Sequence, residues 1–137
     1  MDISSSRKTN DLLDLERLQG AWEQTGMEDS GVSNPPDEHS APGALTLIEG
    51  NQFRVVTVEG ELLLAGCFTL DSSTTPKSIT WIDAIGADAG KPLPASYQLT
   101  GDDFVFIAAD EGQPRPTRFS TGPGQTLRRF VRAPQGR

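Results

Sequence analysis

The sequence predicts an all-β fold, an up-and-down antiparallel β-barrel of eight or nine strands with a short N-terminal helix. From position 44 onward, turn-forming residues recur about every 10–15 residues, as expected for strands joined by hairpins. The 14 glycines and 10 prolines also favour short strands over long helices. With 137 residues the chain fits one domain, which we place at residues 11–133, between a disordered tail at 1–10 and a short C-terminal tail at 134–137.

The one predicted helix lies directly before the first strand. Apolar residues recur at helical spacing between Asp11 and Leu18, and Asn10 or Asp11 is a suitable N-cap. Gly20 ends the pattern, so the helix has at most two turns.

Nine segments have the composition or alternation of β-strands. Between the first two, the proline-rich segment 28–43 excludes a regular element and predicts a long loop. The predicted strands are Trp22–Met27, Ala44–Ile48, Gln52–Val58, Glu61–Leu70, Lys77–Ile85, Ala95–Leu99, Phe104–Ala109, Thr117–Ser120 and Gln125–Val131.

The two ends of the predicted barrel suggest how it closes. Gly20 and Trp22 lead into the first strand, and the last strand carries several arginines. A guanidinium over an indole face stabilises a fold by about 0.5–2 kcal/mol. We predict a structural clasp in which Arg129 or Arg132 covers Trp22; the two arginines lie on opposite faces of the strand, so the register decides between them.

The charge of the chain is negative and unevenly distributed. The net charge is −7, yet all 19 acidic residues precede position 113 and six arginines follow it. A negative protein disfavours nucleic acids and anionic membranes as partners. The basic C-terminal segment is either a patch for a polyanion or a pair of strands that pack beside acidic ones.

Few residues are arranged for catalysis or metal binding. Adjacent acids such as Asp102-Asp103 point to opposite faces of a strand, and the single histidine, His39, lacks a second ligand at zinc-binding spacing. Cys67 is the only cysteine, predicted as a buried and inert thiol. We therefore expect no enzyme activity, no metal and no cofactor. The absence of a secretory signal or an apolar span favours a cytoplasmic protein without membrane contact.

Three residues are candidates for ligand binding. Trp81 and Tyr97 lie on consecutive predicted strands and either line a cavity or fill a core. Arg115 lies between two prolines that restrict its backbone, which suits an anionic ligand; alternatively it pairs with a carboxylate of Asp102, Asp110 or Glu111.

The sequence thus favours a non-enzymatic domain that binds a small apolar or weakly anionic ligand inside a barrel. The alternative is a protein-interaction module, such as a bacterial inhibitor or immunity protein, whose acidic rim contacts a basic protein partner. That rim would include segment 28–43 and the acidic turns. Its carboxylates are Asp37, Glu38, Asp110 and Glu111.

An ordered series of motifs carries a resemblance to a known domain. They are Gly66-Cys67-Phe68-Thr69-Leu70-Asp71, Thr75-Pro76-Lys77-Ser78-Ile79, Gly90-Lys91, Tyr97-Gln98-Leu99-Thr100-Gly101-Asp102 and Gly112-Gln113-Pro114-Arg115-Pro116-Thr117-Arg118-Phe119. In order and spacing this series resembles a lipocalin-like bacterial domain of unknown function, abundant in planctomycetes, over about residues 15–132. The resemblance implies a lipocalin-type barrel and no particular activity. The chain departs from it at Thr80 and Ser96.

Overall fold

The computed structural model describes residues 3–35 and 43–133, which form one helix and nine strands. All neighbouring strands pair antiparallel. The elements are α1 (Ile3–Leu18), β1 (Gly20–Asp29), β2 (Val32–Ser33), β3 (Leu45–Glu49), β4 (Gln52–Val56), β5 (Leu62–Asp71), β6 (Lys77–Asp83), β7 (Pro92–Thr100), β8 (Asp103–Ala109) and β9 (Gln125–Arg132).

Eight of the strands form a closed up-and-down barrel. The sheet runs β1-β3-β4-β5-β6-β7-β8-β9, and β9 pairs with β1 to close it. The ninth strand, β2, is a two-residue addition paired with the end of β1. This architecture confirms the predicted fold class. Closure leaves the eight barrel strands without a long unpaired edge in the described residues.

Helix α1 closes one end of the barrel, which we call the closed end; the opposite end, near the β1–β2 turn and the end of β8, is the open end. Leu18 is fully buried and packs with Trp22 and Phe104 in the core, while Leu15 packs on its edge. The buried residues follow the inward face of each strand, since successive side chains of a strand point to opposite sides. In the described residues no helix is long and apolar enough to cross a membrane.

The helix is longer than its sequence predicts. It begins at Ile3 rather than at Asn10 or Asp11, and so includes most of the segment expected to be a disordered tail. The sequence did not reveal its first part because residues 3–10 are mostly polar, without the apolar periodicity of 11–18. The predicted C-terminal tail at 134–137 lies outside the described residues.

The predicted strand Thr117–Ser120 is wrong. Residues 110–124 instead cross the outer surface of the barrel between β8 and β9 without forming a strand. Pro114 and Pro116 lack the N–H that a strand ladder needs. This segment covers outward-facing side chains, because Ser96, Ile107 and Leu127 alternate with inward residues and are still at most 1% exposed.

Candidate functional site

The closed end is fixed by Trp22 and Arg132. Trp22 is fully buried, and its indole Nε1 donates a 2.8 Å hydrogen bond to the carbonyl oxygen of Leu18. The guanidinium carbon of Arg132 lies 4.3 Å from the centroid of the Trp22 ring. Of the two candidate arginines, Arg132 is the one opposite Trp22 in the β1–β9 register, whereas Arg129 is exposed and faces outward.

Arg132 also binds the C-terminus of α1. Its Nη1 and Nη2 donate to the carbonyl oxygens of Gln19 and Arg17, at 3.0 and 2.6 Å, and its Nε donates to Asp102 at 3.0 Å. The last carbonyls of a helix have no partner within it and carry partial negative charge, so a guanidinium stabilises them. Gly20 allows this approach, with φ of 113°. Three of the four predicted clasp residues, Gly20, Trp22 and Arg132, therefore play a structural part at this end. Arg129 does not.

Tyr97 lies at the closed end rather than in a ligand cavity. Its hydroxyl donates a 2.6 Å hydrogen bond to Oδ2 of Asp14, a helix residue that is 3% exposed. Lys77 Nζ binds the same oxygen at 2.9 Å. Burial, and secondly the Asp14 carboxylate, raise the pKa of Tyr97 far above its ordinary value. The phenol thus anchors α1 to the barrel.

Tyr97 is the only tyrosine, so its ionisation can be followed by tyrosinate absorbance in a pH titration. An unfolded tyrosine ionises near pH 10. Because the folded pKa is raised, the stability that this group contributes is complete below about pH 10 and decreases as the pH rises above it. We expect no tyrosinate in the folded protein near pH 10, and absorbance that appears together with loss of the fold. An ordinary titration near pH 10 in the folded protein would contradict the Asp14 contact.

A cavity of about 170 Å³ occupies the barrel between Trp22 and the open end. Six aromatic side chains form most of its apolar wall. The lining is Trp22, Gln24, Ala44, Thr46, Phe53, Val55, Leu64, Trp81, Asp83, Asp88, Leu93, Phe104, Phe106, Ala108, Ala109, Asp110, Thr126, Arg128 and Phe130. An apolar wall with a few polar groups is the usual composition of a ligand pocket.

Trp81 lies at the centre of this aromatic wall. Its ring centroid is 4.9 Å from that of Phe106, 5.1 Å from Phe53 and 5.3 Å from Phe68. Trp81 is 6% exposed, and its indole Nε1 is the one buried side-chain nitrogen or oxygen in the described residues that has no hydrogen-bond partner. Buried polar groups in native proteins are nearly always paired, so a single exception inside a cavity points to a missing acceptor.

The polar part of the lining is concentrated toward the open end. Asp83 follows Trp81 on the inward face of β6 and is 7% exposed. Asp88 and Asp110 are exposed. Arg128 enters from β9, and its Nη1 donates a 3.0 Å hydrogen bond to Gln24. Among the residues that the structure describes, the cavity wall therefore carries three carboxylates and one guanidinium.

Arg115 lies outside the cavity. Its guanidinium donates to the carbonyl oxygens of Ile79 and Ala95, at 2.9 and 2.6 Å, and to Thr80 Oγ1 at 2.9 Å. Burial lowers its pKa. These bonds attach segment 110–124 to β6 and β7, in place of the expected pairing of Arg115 with Asp102, Asp110 or Glu111.

The two positions where the sequence departs from the lipocalin-like resemblance meet this same segment. Thr80 accepts from Arg115, and Ser96 Oγ donates to the carbonyl oxygen of Pro116 at 2.5 Å. Both residues lie on the outer face of the barrel, so neither takes part in the cavity.

Other sequence candidates lie apart from the cavity wall or beyond the described residues. Cys67 is half-buried on the outer face of β5, because it alternates with the inward-facing Phe68; the expectation of a buried thiol is therefore wrong. Glu111 is exposed beside Asp110. Asp37, Glu38 and His39 lie outside the described residues, so the acidic-rim alternative stays a prediction.

Of the predicted ligand-binding residues, only Trp81 lines the cavity. Asp83, Phe106 and Arg128 also line it and were not predicted from the sequence. Alternation offered a signal for two of them: Asp83 is two residues after Trp81, and Arg128 is two residues before the buried Phe130. Comparisons with protein-family models, curated proteins and solved structures found no match to this chain.

Proposed function

We propose that this protein binds a small, largely apolar molecule in its barrel cavity, and that the molecule carries a hydrogen-bond acceptor for Trp81. The observation that carries the proposal is the unpaired Nε1 of Trp81 in the aromatic wall. A buried donor without a partner costs about 1–3 kcal/mol, which an acceptor on the ligand would recover.

The size and composition of the cavity support the same conclusion. A dry protein cavity of roughly 150 Å³ binds benzene, so about 170 Å³ suits a molecule with a single ring or a short branched chain. Burial of the ligand against Trp81, Phe53 and Phe106 would supply most of the affinity, at about 25 cal/mol per Å² of apolar area.

The weakly anionic ligand predicted with Arg115 is not part of this proposal. Arg115 uses its donors on backbone carbonyls outside the cavity. Among the described lining residues, the acidic Asp83, Asp88 and Asp110 outnumber the basic Arg128, which disfavours a carboxylate or phosphate on the ligand.

Two probes of nearly identical shape test the proposed hydrogen bond: acetophenone, whose ketone oxygen is an acceptor, and α-methylstyrene, which has a methylene group in its place. We expect the affinity ratio of ketone to alkene to fall by about five- to tenfold in Trp81→Phe, since that variant keeps an aromatic ring and removes only the donor. Calorimetry gives the affinities, and the indole N–H resonance of Trp81 reports contact directly.

Tyr97→Phe is the matched control, because it removes one buried donor from the closed end and leaves the cavity wall intact. Its ketone-to-alkene ratio should equal that of the wild-type protein. If neither probe shifts the Trp81 resonance, or if Trp81→Phe leaves the ratio unchanged, the proposal is wrong.

A further inference from the structure

The charges in the cavity wall select among ligands of the proposed size. Within the described part of the chain, Asp83, Asp88 and Asp110 line the cavity with one basic residue, Arg128. Arg128 is held by Gln24 at 3.0 Å on the β1–β9 side, whereas Asp83 belongs to β6 on the Trp81 side. Asp83 therefore places a carboxylate on the same strand and the same face as Trp81.

Asp83 and the unpaired indole nitrogen are close neighbours on one face. Trp81 and Asp83 are two residues apart on β6, so their Cα atoms are about 7 Å apart and both side chains point into the barrel. Asp83 is 7% exposed, and Asp88 and Asp110 are exposed farther toward the open end. A cation that enters from solvent would meet exposed carboxylates first and a buried one beside Trp81.

The aromatic wall also favours positive charge. The faces of Trp81, Phe53 and Phe106 carry negative electrostatic potential, which attracts a desolvated ammonium group. The net charge of −7 raises the local concentration of cations around the protein. An amine thus gains from the carboxylates, from the rings and from long-range attraction.

We propose that the ligand carries an amino group, bound as its ammonium ion, in addition to the acceptor for Trp81. The ammonium group lies toward Asp83 and the open-end carboxylates, and the apolar body lies against Trp81 and Phe106. This inference rests on the proposed function, because it assigns a chemical class to the ligand of the same cavity.

Three probes of similar size and different charge test it at neutral pH: 2-phenylethylamine, 2-phenylethanol and phenylacetate. The oxygen of 2-phenylethanol can accept from Trp81 and the ammonium group of 2-phenylethylamine cannot, so any advantage of the amine reports the carboxylates and the aromatic faces. We expect the amine to bind at least about tenfold more tightly than the alcohol, and phenylacetate to bind more weakly than the alcohol. Asp83→Asn should remove most of the amine's advantage and leave the affinity for the alcohol nearly unchanged.

Because Asp83 is buried, its replacement also affects stability. Thermal denaturation of Asp83→Asn therefore accompanies the binding measurements and shows whether the variant is folded. The double variant Asp88→Asn/Asp110→Asn alters only exposed carboxylates and should weaken the amine severalfold, again without changing the alcohol. Asp103→Asn is the matched control, since it removes an exposed carboxylate at the closed end and should change none of the three affinities.

The outcomes separate this inference from the proposed function. If the alcohol and the amine bind equally, or if phenylacetate binds most tightly, the amine inference is wrong while the cavity remains a binding site. If none of the three probes nor acetophenone shifts the Trp81 resonance, the proposed function itself fails.

Discussion

Trp22→Ala is expected to lower the free energy of unfolding by about 3–5 kcal/mol, the range for truncating a fully buried aromatic residue. Three interactions are lost together: the packing with Phe104 at 5.7 Å between ring centroids, the contact with the Arg132 guanidinium, and the hydrogen bond to Leu18. A domain of this size has a total stability of about 5–15 kcal/mol, so the variant would be close to unfolded.

Denaturant titration followed by far-UV circular dichroism measures this loss. Trp22→Phe serves as the graded comparison, since it keeps a ring under Arg132 and removes the indole donor; we expect it to cost about 1–3 kcal/mol. A Trp22→Ala protein as stable as the wild type would show that the clasp does not hold the closed end.

The fold could be predicted from the sequence because its signals are local. Alternation and turn residues are properties of neighbouring positions, and they identified the eight barrel strands, although with boundaries shifted by a few residues. The alternation in β9 also limited the choice of clasp to Arg129 or Arg132. The choice itself required the β1–β9 register, a contact between residues about 110 positions apart in the chain.

Segment 110–124 shows why some elements could not be predicted. Thr117–Ser120 has the composition of a short strand, but Arg115 attaches the segment to the outside of β6 and β7 by bonding Ile79 and Ala95. Those acceptors are backbone carbonyls, which every residue type has, so the amino-acid sequence gives no sign of them. Arg115 was interpreted as a ligand-binding residue for the same reason. The sequence identifies this side chain as a donor but not the backbone carbonyls that accept from it.

Of the residues that line the cavity, the sequence identified only Trp81 as a candidate ligand contact. Trp81 was a candidate because it is an aromatic residue with a polar tip on a predicted strand, and the structure places it in the cavity wall. Tyr97 was an equal candidate, yet it lies one level nearer the closed end, where Asp14 of α1 accepts a hydrogen bond from its hydroxyl. The sequence did not predict that α1 would enter this end with a buried carboxylate, and this contact separates the role of Tyr97 from that of Trp81.

The second large effect is expected from a glycine in the middle of β5. Gly66 pairs with Asp83, and a Cβ atom built on it would lie 2.2 Å from the carbonyl oxygen of Ile82 and 2.9 Å from the Cα of Asp83. Two of the three nearest atoms belong to the backbone of β6, which cannot turn away as a flexible side chain can. We therefore expect Gly66→Ala to destabilise the protein by about 3 kcal/mol or more, at the upper end of overpacking effects.

Gly26→Ala provides the control within a barrel strand. Its Cβ would meet only the Arg129 side chain, at 3.9 Å, which is ordinary van der Waals contact, so it should denature at nearly the wild-type midpoint. Since Gly66 borders Asp83 and Phe53, partial separation of β5 from β6 would also displace one carboxylate and one ring of the cavity. Any folded fraction of Gly66→Ala should bind acetophenone more weakly than the wild type. If Gly66→Ala and Gly26→Ala are equally stable, β5 and β6 do not approach as closely as the structure shows.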